Sequence, residues 1–161
     1  MTQEKKQLLL IDLCTRLPYG VKGRVYAETT NGEYDINGDI IFFNSPFDVI
    51  LDGINTSTEE LHVVAIGNED TIDFIEDEQT CGDPYTIDEF KPYLRPISSM
   101  TEEEDKDWQL YKNRIAESCD ELLEKRIAEL HDWYNLHHFD YHGLIPMRIA
   151  LEAPEDMYKN E

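Results

Sequence analysis

Two Asn-Gly pairs, Asn31-Gly32 and Asn37-Gly38, interrupt a stretch that otherwise alternates in polarity. Both central residues of the tightest hairpin turn need positive φ, which Asn and Gly tolerate, so such pairs mark places where a strand doubles back. On either side the period is two. In "VKGRVYAE", Val21, Gly23, Val25 and Ala27 alternate with Lys22, Arg24, Tyr26 and Glu28, one set for a core and one for water. Strand-like segments follow in close order: "EYDI" (33–36), "DIIFF" (39–43), "DVILDGI" (48–54), "LHVVAIG" (61–67) and "TIDFI" (71–75). The pattern predicts a small antiparallel meander that curls into a barrel or a strongly bent sheet. Open strand edges invite association, so closure or cover by a helix is expected. Val21, Val25, Ile41, Val49, Leu51, Val63 and Ala65 are the expected core, with both Asn-Gly pairs at hairpin tips.

Helices flank this sheet. Residues 3–17 carry Leu10, Leu13, Cys14 and Leu17 at helical spacing, and "PYG" at 18–20 ends the run. Residues 76–100 read as a proline-rich connector, because Pro84, Pro92 and Pro96 exclude a long helix or a central strand. Its Tyr85, Ile87, Phe90, Tyr93, Leu94 and Ile97 are too apolar for a free linker. Thr101 and Glu104 form a capping-box pattern at the start of a long helix expected over about 102–136, with Leu123, Ile127, Leu130 and Tyr134 as its apolar stripe. The tail beyond it is apolar enough to dock. The fold class is therefore α+β. A helix, sheet and packed connector occupy 1–100; a long helix and docked tail occupy 101–161, packed on the first part as one unit.

Charge narrows the function. The chain holds 35 acids against 14 bases, a formal net charge of −21. Such a field repels phosphates and anionic lipid, so neither nucleic acid nor a membrane is an expected partner. A cationic protein is. Thirteen acids and two bases lie between Glu69 and Asp105, and Glu76, Asp77, Glu78, Glu102, Glu103 and Glu104 are the candidate carriers of a partner surface. Two further readings compete with a protein-binding one. The acidic block can be a merely solvated face, or it can imitate the charge of DNA and occupy a nucleic-acid-binding protein. Arg16, Lys22 and Arg24 are too few in this field to signal nucleic acid binding and are expected to balance nearby carboxylates.

Catalytic motifs are absent from the sequence: no Gly-rich phosphate loop, no Gly-x-Ser-x-Gly elbow, no His-Glu-x-x-His. The reading leans away from an enzyme and implies no cofactor. "HDWYNLHHFDYHGLI" (131–145) gathers four of the five histidines, and His131, His138, Asp140 and His142 are candidate metal ligands. The interleaved aromatics and Gly143 suit a chain leaving a helix and folding back onto a core, and that structural reading is preferred. Cys14, Cys81 and Cys119 are widely spaced and odd in number, which argues for reduced, mostly buried thiols. With no signal peptide recognisable, a cytoplasmic setting is expected.

"LPYGV" (17–21), "KPYLRPISSMTEEE" (91–104), "HHFDYHGLI" (137–145) and "ALEAPEDMYK" (150–159) together resemble a family of uncharacterised proteins from gut-bacterial genomes, prophages and related mobile elements. The resemblance implies a shared fold and a bacterial or phage cytoplasmic setting. It carries no catalytic residue, cofactor or substrate. An arginine commonly stands in that family where this chain has His142, which weighs against a metal site that needs three imidazoles.

Overall fold

The computed structural model describes residues 1–81 and 84–158, with the backbone alone at 31, 73 and 77–81. The class is α+β, and the chain divides into two compact units, Met1–Pro92 and Tyr93–Glu161.

The first unit opens with helix α1 (Gln3–Arg16). The Thr2 hydroxyl caps it by accepting from Lys5 N, and Glu4 and Arg16 complement its dipole. Its buried face is Leu9, Asp12, Leu13 and Arg16, one residue round from the expected Leu10, Leu13, Cys14 and Leu17. A polar pair explains the shift. Arg16 Nε donates to Asp12 Oδ2 at 2.7 Å and Nη2 donates to Oδ1 at 3.0 Å, with both side chains fully buried. Paired this way, two charged residues occupy a face that a search for apolar stripes assigns to water. Gly20, at φ 67°, then turns the chain into the sheet.

Strand β1 (Lys22–Tyr34) pairs antiparallel with β2 (Ile40–Asn55), and β2 pairs with β3 (Glu60–Ala65). Helix α2 (Glu69–Cys81) follows, then short strands β4 (Tyr85–Thr86) and β5 (Lys91–Leu94). In this unit the strands lie in the order β4-β3-β2-β1, and Lys91 and Pro92 of β5 pair with Arg24 and Gly23 of β1. The inward set is Val21, Val25, Ala27, Val49, Leu51, Leu61, Val63 and Ala65, joined by Leu9 and Leu13 of α1, Ile75 of α2 and Ile87 and Phe90 of the connector. Gly23 keeps its place in the alternation because the Phe90 ring lies where a Cβ would stand.

Several expectations are corrected. Ile41 is only half-buried, because it lies on β2 beyond the last rung to β3, at Val49. Only Asn37-Gly38 is a hairpin tip, closed by Asp35 N donating to Asp39 O at 2.8 Å. Asn31-Gly32 lies inside β1, where the register with β2 shifts between Thr30 and Tyr34. There the positive φ of Gly32 serves a bulge instead of a reversal. "TIDFI" is helix, not strand. The Asn68 carboxamide accepts from Thr71 N at 2.9 Å and Thr71 Oγ1 at 2.8 Å, and Glu69 and Asp70 occupy the first turn. Five residues are too short a window for alternation to separate strand from helix, and the cap decides. Of the two forms expected, the strands take the bent sheet: among the described residues β1 has no strand on its outer side beyond Arg24.

In the second unit, Tyr93 and Leu94 of β5 pair in parallel with β6 (Leu151–Glu152). The helical segment expected over 102–136 is present in two pieces, α3 (Glu102–Ala116) and α4 (Asp120–Leu136). The break has a local cause. Ser118 Oγ donates back to Arg114 O at 2.5 Å, and Cys119 takes an extended conformation from which α4 restarts. The capping box at Thr101 and Glu104 forms as the sequence predicts. Trp133, Tyr134 and Phe139 make the core here, with Met100, Trp108, Tyr111, Leu130 and Tyr141 packed around them. Trp108 Nε1 donates to Tyr134 Oη at 2.6 Å, tying α3 to α4.

Candidate protein-binding surface

Beyond the last rung to β3, β1 and β2 continue as a two-stranded ribbon, Tyr26–Phe47. Covered at its base by α2, the ribbon has neither face covered toward its tip. Phe42 and Phe43 are neighbours in sequence and so point to opposite sides, yet both are exposed. Tyr34 is 64% exposed, Ile36 100% and Phe42 59%, with Ile40 and Phe43 also open to water. Glu28, Glu33, Asp35 and Asp39 stand among these apolar residues, and no Lys or Arg occurs between Arg24 and Lys91. Cross-strand bonding holds the ribbon together: Thr29 Oγ1 and Ser45 Oγ are 2.6 Å apart. At the tip the Asp35 carboxylate accepts from Asn37 N and Asp39 N at 2.8 and 2.9 Å. Those backbone bonds, led by the one from Asp39, hold its carboxyl below the ordinary carboxylate range. At its base the ribbon is anchored by Phe47 stacked on Phe74 of α2, with ring centroids 5.2 Å apart. Pro46 sits opposite Tyr26, where β2 has no β3 partner and needs no N–H.

A cleft of about 510 Å³ opens beside the ribbon's base, lined by Tyr26, Ala27 and Glu28 of β1 and by Pro84, Tyr85, Thr86 and Glu89. It lies where the curled strands fail to close, with β1 on one side and the β4 segment on the other.

The acids singled out from sequence fall in both units. Glu76 is exposed on α2; the side chains of Asp77 and Glu78 lie outside the described residues. Glu102 and Glu103 are exposed in the first turn of α3. Glu104 is committed within its own unit. It accepts from Arg95 Nη1 and Nη2 at 2.7 and 2.9 Å and from Thr101 N at 2.7 Å. Desolvation opposes its ionisation, but the bonds from Arg95 and Thr101 outweigh that and bring its carboxyl down to about 2.

Each candidate ligand of the histidine stretch has a neighbour that accounts for its position. Asp140 accepts from Leu144 N at 2.7 Å and Ile145 N at 2.9 Å, capping the turn that follows. His138 is buried with its ring centroid 3.7 Å from that of Tyr158. His131 stacks on Tyr141 from the surface, and His142 tilts against the same ring. Phe139 is fully buried beneath the Arg95 guanidinium, and Arg95 N donates to His138 O while Asp140 N donates to Arg95 O. Among the described residues no group of three or more His, Cys, Asp or Glu side chains is arranged to hold a metal ion.

Of the basic residues, Arg16 engages Asp12, and Arg24 Nε donates to Asp48 Oδ1 at 3.1 Å. Cys14 and Cys119 are exposed, against the expectation of burial, because α1 packs through the Asp12–Arg16 face and Cys119 lies at the junction of α3 and α4. The Cys81 side chain lies outside the described residues. No described helix is long and apolar enough to cross a membrane.

Sequence reasoning missed the ribbon as a surface. "DIIFF" reads as a strand with Ile41 turned to the core, and the β3 ladder stops at Val49 before reaching it. Comparison with protein-family models, with curated proteins and with solved structures finds no match.

Proposed function

We propose that this chain is a non-enzymatic, acidic binding or regulatory protein that acts on another, cationic protein. The resemblance implies a bacterial or phage cytoplasmic setting. The carrying observation is the ribbon: five large apolar side chains exposed within Tyr34–Phe43, set among carboxylates in a segment without a basic residue. Isolated exposed apolar residues are ordinary, but Tyr34, Ile40 and Phe42 share one face of the ribbon, and such a group with a charged surround has the anatomy of a contact surface. Burial of the rings against a partner supplies affinity, and the acids steer a basic partner to them and set its orientation.

A DNA-like polyanion remains the second reading, favoured by the unbroken acidic composition between Arg24 and Lys91. Such a surface has no use for rings among its carboxylates, so the ribbon favours a partner with an apolar seat rimmed by lysine or arginine. The test is affinity capture from the native host with mass spectrometric identification, repeated with Ile36→Ser, Phe42→Ser and Phe43→Ser combined. The reading requires a partner that is lost from the triple variant and whose association slows as salt is raised. Capture unaffected by both the variant and salt overturns it.

A further inference from the structure

We propose that the outer edge of β1, over Tyr26–Thr30, accepts an extended peptide of alternating small apolar and basic residues as an added antiparallel strand. The inference rests on the protein-binding reading above and names the backbone site and the chemistry of the segment it takes.

The hydrogen-bond phase of β1 identifies the free groups. Leu51 N donates to Val21 O at 3.0 Å, so Val21 turns its polar groups toward β2. In an antiparallel pair this side alternates, so Gly23, Val25, Ala27 and Thr29 also face β2. Lys22, Arg24, Tyr26, Glu28 and Thr30 face outward. Arg24 meets Lys91 of β5 there, and Gly23 lies opposite Pro92. The next rung would place Phe90 opposite Val25, but Phe90 turns inward and is buried over Gly23. The chain before it pairs with β3 instead, Thr86 opposite Glu60 and Tyr85 opposite Leu61. Tyr26, Glu28 and Thr30 are thus left on the line of β5 with no strand partner among the described residues.

The space on that line is the 510 Å³ cleft, bordered by Tyr26, Ala27 and Glu28 on one side and Pro84–Thr86 with Glu89 on the other. Tyr26 to Thr30 spans about 14 Å of strand, enough for three outward backbone pairs. An incoming strand continues the pairing that β5 begins, and this is how sheet edges take up peptides. Directly opposed residues share a face of the sheet. Residues opposite Ala27 and Thr29 enter the side that carries the core and must be small and apolar. Residues opposite Tyr26, Glu28 and Thr30 lie on the outer side, where a lysine or arginine meets the Tyr26 ring and the Glu28 carboxylate. Glu28 and Glu89 make the cleft acidic, which selects basic segments and disfavours a second copy of this acidic edge.

The probe is a blocked octapeptide alternating lysine and valine, added to the full chain. Binding by calorimetry, with slowed hydrogen exchange at the Tyr26, Glu28 and Thr30 amides, is the expected result. Methylating the lysine backbone nitrogens, which face β1, should weaken binding by about tenfold or more, whereas methylating the valine nitrogens should change it less than about threefold. Equal binding of the two methylated peptides, or no slowing at the three amides, overturns the added strand. Glu28→Pro tests the same edge from the protein side. It removes an outward N–H and blocks the approach while leaving the bonds to β2, and should abolish peptide binding. If that variant fails to fold, the methylated pair decides alone. A captured host partner that binds Glu28→Pro as before, but is lost from the Ile36, Phe42 and Phe43 variant, refutes the edge proposal and leaves the protein-binding reading standing.

Discussion

The two ends of the β1–β2 pair are built from similar residues and live in different surroundings. At the base, Val25, Val49 and Leu51 are buried, and Val49 and Leu51 pair with β3. At the far end, Ile36, Ile40, Phe42 and Phe43 are exposed although they are as apolar. Composition does not distinguish the ends. Neighbouring elements do: β3 ends its ladder at Val49, and beyond the anchor of Phe47 on Phe74 of α2 the outer residues of the ribbon stay exposed. Apolar residues kept in water without a structural role in the fold are therefore the place to look for a partner.

The sharpest way to test the base is through its buried charges. Asp12→Ala leaves the Arg16 guanidinium buried without its bidentate acceptor and should destabilise the chain by about 3–5 kcal/mol. Replacing both residues, Asp12→Leu with Arg16→Met, should be much milder than the single change; urea unfolding of both variants checks this. The comparison itself is tested on one strand. Leu51→Ala should cost about 2–5 kcal/mol, whereas Ile41→Ala, half-exposed on the ribbon, should cost much less. Equal losses from the two would mean that the far end packs as the base does.

Carboxylates extend the comparison to charge. Asp35 at the exposed tip and Glu104 beside Arg95 both have lowered carboxyl pKa values, but only Glu104 is enclosed enough to matter for stability. The Glu104 value falls from 4.5 to about 2 on folding. A depressed folded value means that its contribution is complete above about 4.5 and is lost as pH falls through about 2. Allowing for solvent screening, Glu104→Gln should lower stability by about 1–2 kcal/mol at neutral pH and by almost nothing near its folded pKa. Urea midpoints across that range decide it. The smallest effect belongs to the tip: combining Ile36→Ser, Phe42→Ser and Phe43→Ser should leave stability within about 0.5 kcal/mol per residue. Larger losses would show that these residues pack on the fold.

Much of the fold was legible because local chemistry and tertiary setting agree. The alternation from Val21 to Ala27, the turn at Asn37-Gly38 and the capping box at Thr101 all appear where the sequence puts them. The misread segments are those where the two disagree. Asp12 and Arg16 look solvated until their mutual bonds are seen, and "TIDFI" alternates by accident of a short window under an Asn68 cap. Asn31-Gly32 has the same turn chemistry as its successor but is spent on a bulge. The ribbon surface was illegible for a further reason: whether "IIFF" is covered depends on where β3 stops, and no residue within the segment encodes that.

The ribbon also bears on how the chain behaves at high concentration. Bare strand edges and exposed rings are the ingredients of chain–chain stacking, and here Glu28, Glu33, Asp35 and Asp39 act as gatekeepers by keeping like ribbons apart. That protection is only as durable as their ionisation. At the tip, the backbone amides favour the Asp35 anion and hold its carboxyl below the ordinary carboxylate range. Colloidal stability should therefore fail in mild acid while the fold is still intact, and precipitates formed there should redissolve when the pH is restored.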